Sequence, residues 1–249
     1  MKKLALVLCS LLVVGVSAQA KEMLAEPMTT SSKEVMVEPE PVVEEVVVLP
    51  VVAEPWGYVE LRGGWDFWSE YGDESYDGYK VLSKDTDESG YEFAIEMYKS
   101  WPQFDLGLGL AYQDHSDRDN NTFTYQRTNY HGSGGEYKSM PIYVAGKYKI
   151  NYWDWPVSPY LKAMVGYSFN FDEKDIHIKN GGTYTLTTDI DDGWYWAAGI
   201  GMEYQNFTMD IMYGINHADM DWKYENNKGS FNNDYERVTL SVGYKFNIW

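Results

Sequence analysis

Four histidines, His115, His131, His177 and His217, hold all the imidazole in this chain. Asp114 precedes His115, and Asp219 lies two residues beyond His217. Pairs of that kind can orient a general base. All four histidines fall in loops or near strand tips, where His and Asp are ordinarily just solvated. His217-Ala218-Asp219 also lacks a serine nucleophile. Cys9 is the single cysteine and lies in an apolar N-terminal run. The chain beyond that run therefore has no thiolate for a metal, a nucleophile or a disulfide. Gly107-Leu108-Gly109 and Gly199-Ile200-Gly201 have glycines at phosphate-loop spacing, but neither precedes a helix, which such a loop needs. These residues predict no catalytic site, no cofactor and no metal.

The more informative charges stand singly, each at an alternate position. Glu60, Glu92, Glu96, Glu203 and Asp210 are acidic; Arg62, Lys147, Lys162, Arg237 and Lys245 are basic. If the elements carrying them turn these positions inward, the charges must pair, because an unpaired buried charge is costly. The resulting network would be a structural plug or a gate that rearranges to pass small solutes.

Those elements are strands. From Trp56 onward the chain alternates with the period of two, the mark of a strand with two unlike faces. Eight segments show it: Trp56 to Tyr71, Ser89 to Lys99, Phe104 to Asp114, Tyr137 to Ile150, Pro159 to Phe171, Gly193 to Tyr204, Phe207 to Trp222 and Asp234 to Ile248. In the first, Val59, Leu61, Gly63, Trp65 and Phe67 face away from Tyr58, Glu60, Arg62, Gly64, Asp66 and Trp68. In the third, Phe104, Leu106, Leu108 and Leu110 face away from Asp105, Gly107, Gly109 and Ala111. The less apolar face is rich in Gly and Ala, which suit the crowded inside of a narrow barrel. The bulky face carries no charge, as a face toward lipid requires. The fold expected is all-β: an eight-stranded antiparallel transmembrane β-barrel, residues 56–249, preceded by a disordered acidic linker. The inverse assignment, a soluble ligand-binding barrel, needs the apolar faces turned inward.

Composition agrees. Aromatics make up 16% of the chain, with 22 Tyr and 10 Trp, and the net charge is −18. Rings are wanted at two membrane–water interfaces. The acidic balance disfavours nucleic acid, which needs basic patches. Residues 1–20 are read as a signal peptide, with Lys2 and Lys3 before the apolar run and Ala18-Gln19-Ala20 as the cleavage site. A lipidated Cys9 is the rival, from the weak resemblance of Leu6-Val7-Leu8-Cys9 to a lipobox. Residues 21–55 hold eight Glu, two Lys and five Pro. Prolines and like charges predict an extended periplasmic tether. It is a spacer, or a docking segment whose valine runs (Val42-Val43, Val46-Val47-Val48) add a strand to a partner's sheet.

The links after segments two, four and six are shorter; those after one, three, five and seven are longer and polar. Short periplasmic turns and long outer loops are the rule for outer-membrane barrels. Both termini are then periplasmic. The acidic outer loops are read as solvated surface, or as contacts for divalent cations or host proteins.

The span Trp56 to Trp249 resembles the small outer-membrane barrel superfamily: the OmpA transmembrane domain, OmpX/Ail, OmpW and the opacity proteins. Its last strand, with Tyr244, Phe246 and Trp249, looks like the superfamily's assembly signal, although Trp249 is one residue out of phase with Tyr244 and Phe246. Lipid-A deacylases of the outer membrane resemble the architecture too, but use a His-x-Ser pair with a Glu, and His217-Ala218-Asp219 lacks the Ser. The resemblance implies outer-membrane lipid, lipopolysaccharide and the barrel-assembly machinery as partners. It implies a non-enzymatic role in envelope integrity and in surface contact or adhesion with a host or surface ligand through the outer loops. The alternative is an OmpW-like narrow channel for small or hydrophobic solutes.

Overall fold

The computed structural model describes residues 56–72, 75–76, 79–150 and 156–248. The expected signal peptide with Ala18 and Ala20, the acidic linker and Trp249 lie outside the described residues.

Among the described residues, sixteen strands follow in chain order. The first five are β1 (Gly57–Tyr71), β2 (Ser75–Tyr76), β3 (Tyr79–Lys80), β4 (Tyr91–Ser100) and β5 (Phe104–Asp114). Next come β6 (Asn121–Tyr125), β7 (Thr128–Ser133), β8 (Lys138–Lys149), β9 (Ser158–Phe171), β10 (Ile176–Lys179) and β11 (Thr183–Ile190). The chain ends in β12 (Gly193–Tyr204), β13 (Phe207–Asn216), β14 (Asp219–Tyr224), β15 (Asn227–Asn232) and β16 (Tyr235–Ile248).

The eight long strands close into an antiparallel barrel in the order β1, β16, β13, β12, β9, β8, β5, β4. Closure pairs every edge, which a lipid environment demands. The alternation decides what faces where. Leu108 is 66% exposed and Ile200 63%, whereas Glu96 and Asp105 between such positions are fully buried. The bulky apolar face is therefore outside. Glycines inside make room for rings: a Cβ at Gly109 would collide with Tyr143, and one at Gly201 with Tyr160.

Two irregularities interrupt the wall. The β1–β16 register shifts between Asp66 and Trp68. That bulge turns Trp68, expected inside, out to 40% exposure and brings Ser69 and Tyr71 inward. An extra residue in one strand flips every later side chain to the other face. The β5–β8 ladder lapses between the Leu110–Ile142 and Gln113–Ser139 pairs. The gap contains Pro141, whose nitrogen has no hydrogen to donate.

At the barrel end remote from Gly57 and Ile248, the expected polar loops are not irregular. They form a second, six-stranded antiparallel sheet in the order β15, β14, β11, β10, β7, β6, with β2 and β3 as a short separate hairpin. The expected seventh segment is accordingly two strands. It leaves the barrel at His217-Ala218, where the Ala218 amide donates to the Asp234 carboxylate at 3.0 Å. A core of Tyr71, Leu82, Tyr137, Ile176, Met220 and Tyr235 fills the neck between barrel and outer sheet.

Candidate functional site

Strand phase aims the charges predicted to face inward at one another. Glu96 of β4 is the hub. It accepts from Lys162 of β9 at 2.8 Å, Tyr143 of β8 at 2.7 Å, Tyr98 at 2.9 Å and Arg62 of β1 at 3.3 Å. Arg62 also bridges to Glu92 at 2.7 Å, approaches Asp210 at 3.7 Å and donates to Ser241 at 2.9 Å. Glu92 accepts in turn from Arg237 at 2.6 Å and Gln113 at 2.7 Å. Glu60 pairs with Lys147 and accepts from Thr208 at 2.6 Å. Nearer the terminal end Lys245 meets Glu203 at 2.5 Å. Every one of the ten predicted charges thus has an ionic partner, and Glu203 is the least buried of them.

Two carboxylates belong to the network but were missed as network members. Asp66 accepts from Thr239 at 2.6 Å and Tyr235 at 3.2 Å. Asp105 accepts from Tyr58 at 2.9 Å and pairs with Lys149 at 2.8 Å. Phase alone would have found both, since each alternates with outward rings. Tyrosines complete the filling: Tyr58, Tyr98, Tyr143, Tyr160 and Tyr195 are all buried inside the barrel. Tyr244 and Phe246 of the proposed assembly signal lie on the outer face, with their rings 4.9 Å apart.

The Asp–His pairings imagined from sequence do not form. Asp114 accepts from Tyr91 at 2.8 Å, and His217 pairs with Asp234 at 2.9 Å. His131 bonds Thr122 and His177 bonds Thr185, both across the outer sheet. His115, expected to be solvated, is buried in the neck instead. Its ring stacks on Tyr235 at 4.0 Å and meets the edge of Tyr137 at 4.6 Å. Burial pushes its pKa well below the ordinary imidazole value, and the Arg237 guanidinium adds to the effect. A neutral, enclosed imidazole of this kind packs against its ring neighbours. Among the described residues no group of three or more His, Cys, Asp or Glu is arranged to hold a metal ion.

Beyond the neck, the outer sheet curls around a cavity of about 740 Å³ lined mainly by aromatic and aliphatic side chains. Nothing in the sequence reading anticipated it. Residues 45–246 match the family described as the outer membrane protein beta-barrel domain. The chain belongs to that family. An uncharacterized protein of Pasteurella multocida (strain Pm70) is 25% identical over 177 residues, which cover 62% of this chain and 73% of the relative. Among solved structures, OprG from Pseudomonas aeruginosa is 18% identical, with a TM-score of 0.49 over 78% of this chain and 98% of its own. Ail, the attachment invasion locus protein of Yersinia pestis, is 16% identical, with a TM-score of 0.38 over 76% and 99%. Membership of the family makes this an outer-membrane protein, and its apolar outer wall is the face toward lipid.

Proposed function

We propose that this is a non-enzymatic surface-contact protein: a plugged barrel anchors it, and the folded outer sheet meets a surface or host ligand. The observation that carries this reading is the combination of a filled bore with an ordered head. An eight-stranded barrel is about wide enough for its own side chains. Here Glu96, Lys162, Tyr98 and Tyr143 cross it in mutual hydrogen bonds. A conducting path would have to break several charge-assisted bonds at once. The polar hairpins, by contrast, are built into a sheet with its own packed neck, more order than a solvated loop needs.

Orientation follows the same reading. The short links at the terminal end suit the periplasm, and the head then faces outward. The acidic residues 21–55 would hang in the periplasm with both termini. Protease added to intact cells should then cut within the β6–β7, β10–β11 and β14–β15 hairpins and spare the barrel.

The rival is a narrow channel for small or hydrophobic solutes. Planar-bilayer conductance separates the two. The expected result is no steady conductance from the full-length protein, together with surface or cell binding that disappears when the β14–β15 hairpin is replaced by a short turn. Steady single-channel openings, with binding unaffected by that replacement, would overturn the surface-contact reading.

A further inference from the structure

The head reverses the polarity of the barrel. On the outer sheet one set of alternate positions is polar and exposed: Thr122, Thr124, His131, Thr185 and Lys223. Cross-strand bonds knit this face, Thr122 to His131 at 2.9 Å and Thr124 to Asn129 at 2.8 Å. The other set is apolar and turns inward, with Phe123, Tyr130, Ile178, Leu186, Trp222 and Phe231 around the 740 Å³ cavity. An amphipathic sheet ordinarily buries its apolar face against a second layer. Here, among the described residues, that face surrounds open volume.

We propose that this trough is a binding site for a small, uncharged, lipophilic molecule that carries an aromatic ring. The volume lies within the range of small-molecule sites, roughly 300–1,000 Å³. The depth is graded: Leu82 and Ile176 at the neck are buried, whereas Tyr184 toward a hairpin tip is 45% exposed. A ligand entering from the tips would exchange water for hydrocarbon as it descends. Lining chemistry selects against charge. Among the described residues no carboxylate lines the cavity, and Lys228, the one cation among them that does, lies beside the β14–β15 turn. Past the mouth at Lys228, an ionised ligand that descends among the apolar side chains would lose its hydration without gaining a partner there.

Ring geometry selects for flatness. Phe123 and Tyr130 stack at 5.4 Å with their planes 15° apart. Trp222 lies against Gly229, where any Cβ would strike the indole. The missing side chain lets the indole lie across the hairpin, as a plate for offset stacking. The trough would hold its ligand whether or not the head also touches another surface, so loss of adhesion and loss of ligand are separate readouts.

The test uses the full-length protein in phosphatidylcholine vesicles and two photoreactive probes built on the same diaryl ketone. Benzophenone is uncharged; 4-benzoylbenzoate carries a carboxylate. After irradiation, labelled peptides are mapped by mass spectrometry. Benzophenone is expected to label peptides from β6, β7, β11 and β14 saturably, at roughly tenfold lower concentration than the carboxylate needs. Leu186→Glu should abolish head labelling, and Thr185→Glu, on the polar face, should leave it intact. Benzophenone labelling confined to the lipid-facing strands of the wild-type protein would overturn the site. Equal head labelling by both probes would overturn the ligand class. Both of these outcomes are read on the unmutated chain, so a variant that fails to fold cannot obscure them.

Discussion

Glu96 shows what a single inward carboxylate does in this barrel. It has no solvent exposure and takes hydrogen bonds from strands on several sides, so it joins β1, β8 and β9 to β4. Glu96→Gln removes the charge and leaves Lys162 and Arg62 facing a neutral amide. Breaking one member of a buried ionic set costs about 3–5 kcal/mol. Urea unfolding followed by gel mobility should show a loss of that size, and an unchanged midpoint would mean water reaches the bore. His115 makes a different prediction. Its pKa is depressed in the folded state, so below the ordinary value of 6.5 the unfolded chain binds a proton that the folded chain refuses. Its neutral packing is fully in force above pH 6.5, and stability falls as pH drops from there toward the folded value. The slope is about 1.4 kcal/mol per pH unit for one proton. His115→Phe keeps a ring against Tyr235 and should remove that part of the acid sensitivity. Unfolding curves for both chains across the imidazole range, if they run parallel, would refute the buried neutral histidine.

Among the elements, β8 carries the clearest liability. Pro141 interrupts its ladder with β5, leaving Ala111 and Tyr112 outside the paired register. Pro141→Ala restores a donor at that point and should stabilise the barrel by about 1 kcal/mol. Hydrogen exchange provides the check: the new amide at position 141 should exchange as slowly as its strand neighbours, and rapid exchange would show that the gap is held open by something other than proline. The long barrel strands were legible because their period of two runs for ten residues or more with unlike faces, as in β5. Asp105 and Asp66 were legible in phase and simply not counted with the network. Trp68 was not legible, because a bulge leaves no mark in composition. The outer strands were hidden for another reason. β6 and β7 are joined at Gln126 and Arg127, both in the left-handed region at φ 47° and 66°. That tight hairpin ordinarily advertises itself with Asn-Gly or Asp-Gly. Threonine-rich strands with few aliphatics then read as polar loops, and without the sheet there was no cavity to foresee.

For the whole molecule, one alternating pattern serves two solvents. In the barrel the bulky apolar residues face out and small or charged ones face in; in the head the apolar residues face in and threonines face out. The switch occurs at the neck, where Tyr71, Tyr137 and Tyr235 close the bore beneath the trough. The phase itself runs unbroken from β13 into β14: Thr208, Asp210 and Met212 turn into the barrel, and Met220 and Trp222, at the same alternate positions, turn into the neck and the trough, so what changes is the chemistry of the two faces. The same substitution should therefore have opposite consequences on the two sides of the neck. Leu108 lies near the middle of β5 on the lipid face, so Leu108→Arg places a charge deep in hydrocarbon and should cost about 2–4 kcal/mol. Thr185→Arg, on the exposed side of β11, should change stability by less than about 0.5 kcal/mol. Reversible urea unfolding in vesicles measures both. The position of the neck relative to the bilayer makes the comparison decisive. If the head were buried in lipid, Thr185→Arg would be the costly change; if the barrel wall faced water, Leu108→Arg would be nearly silent.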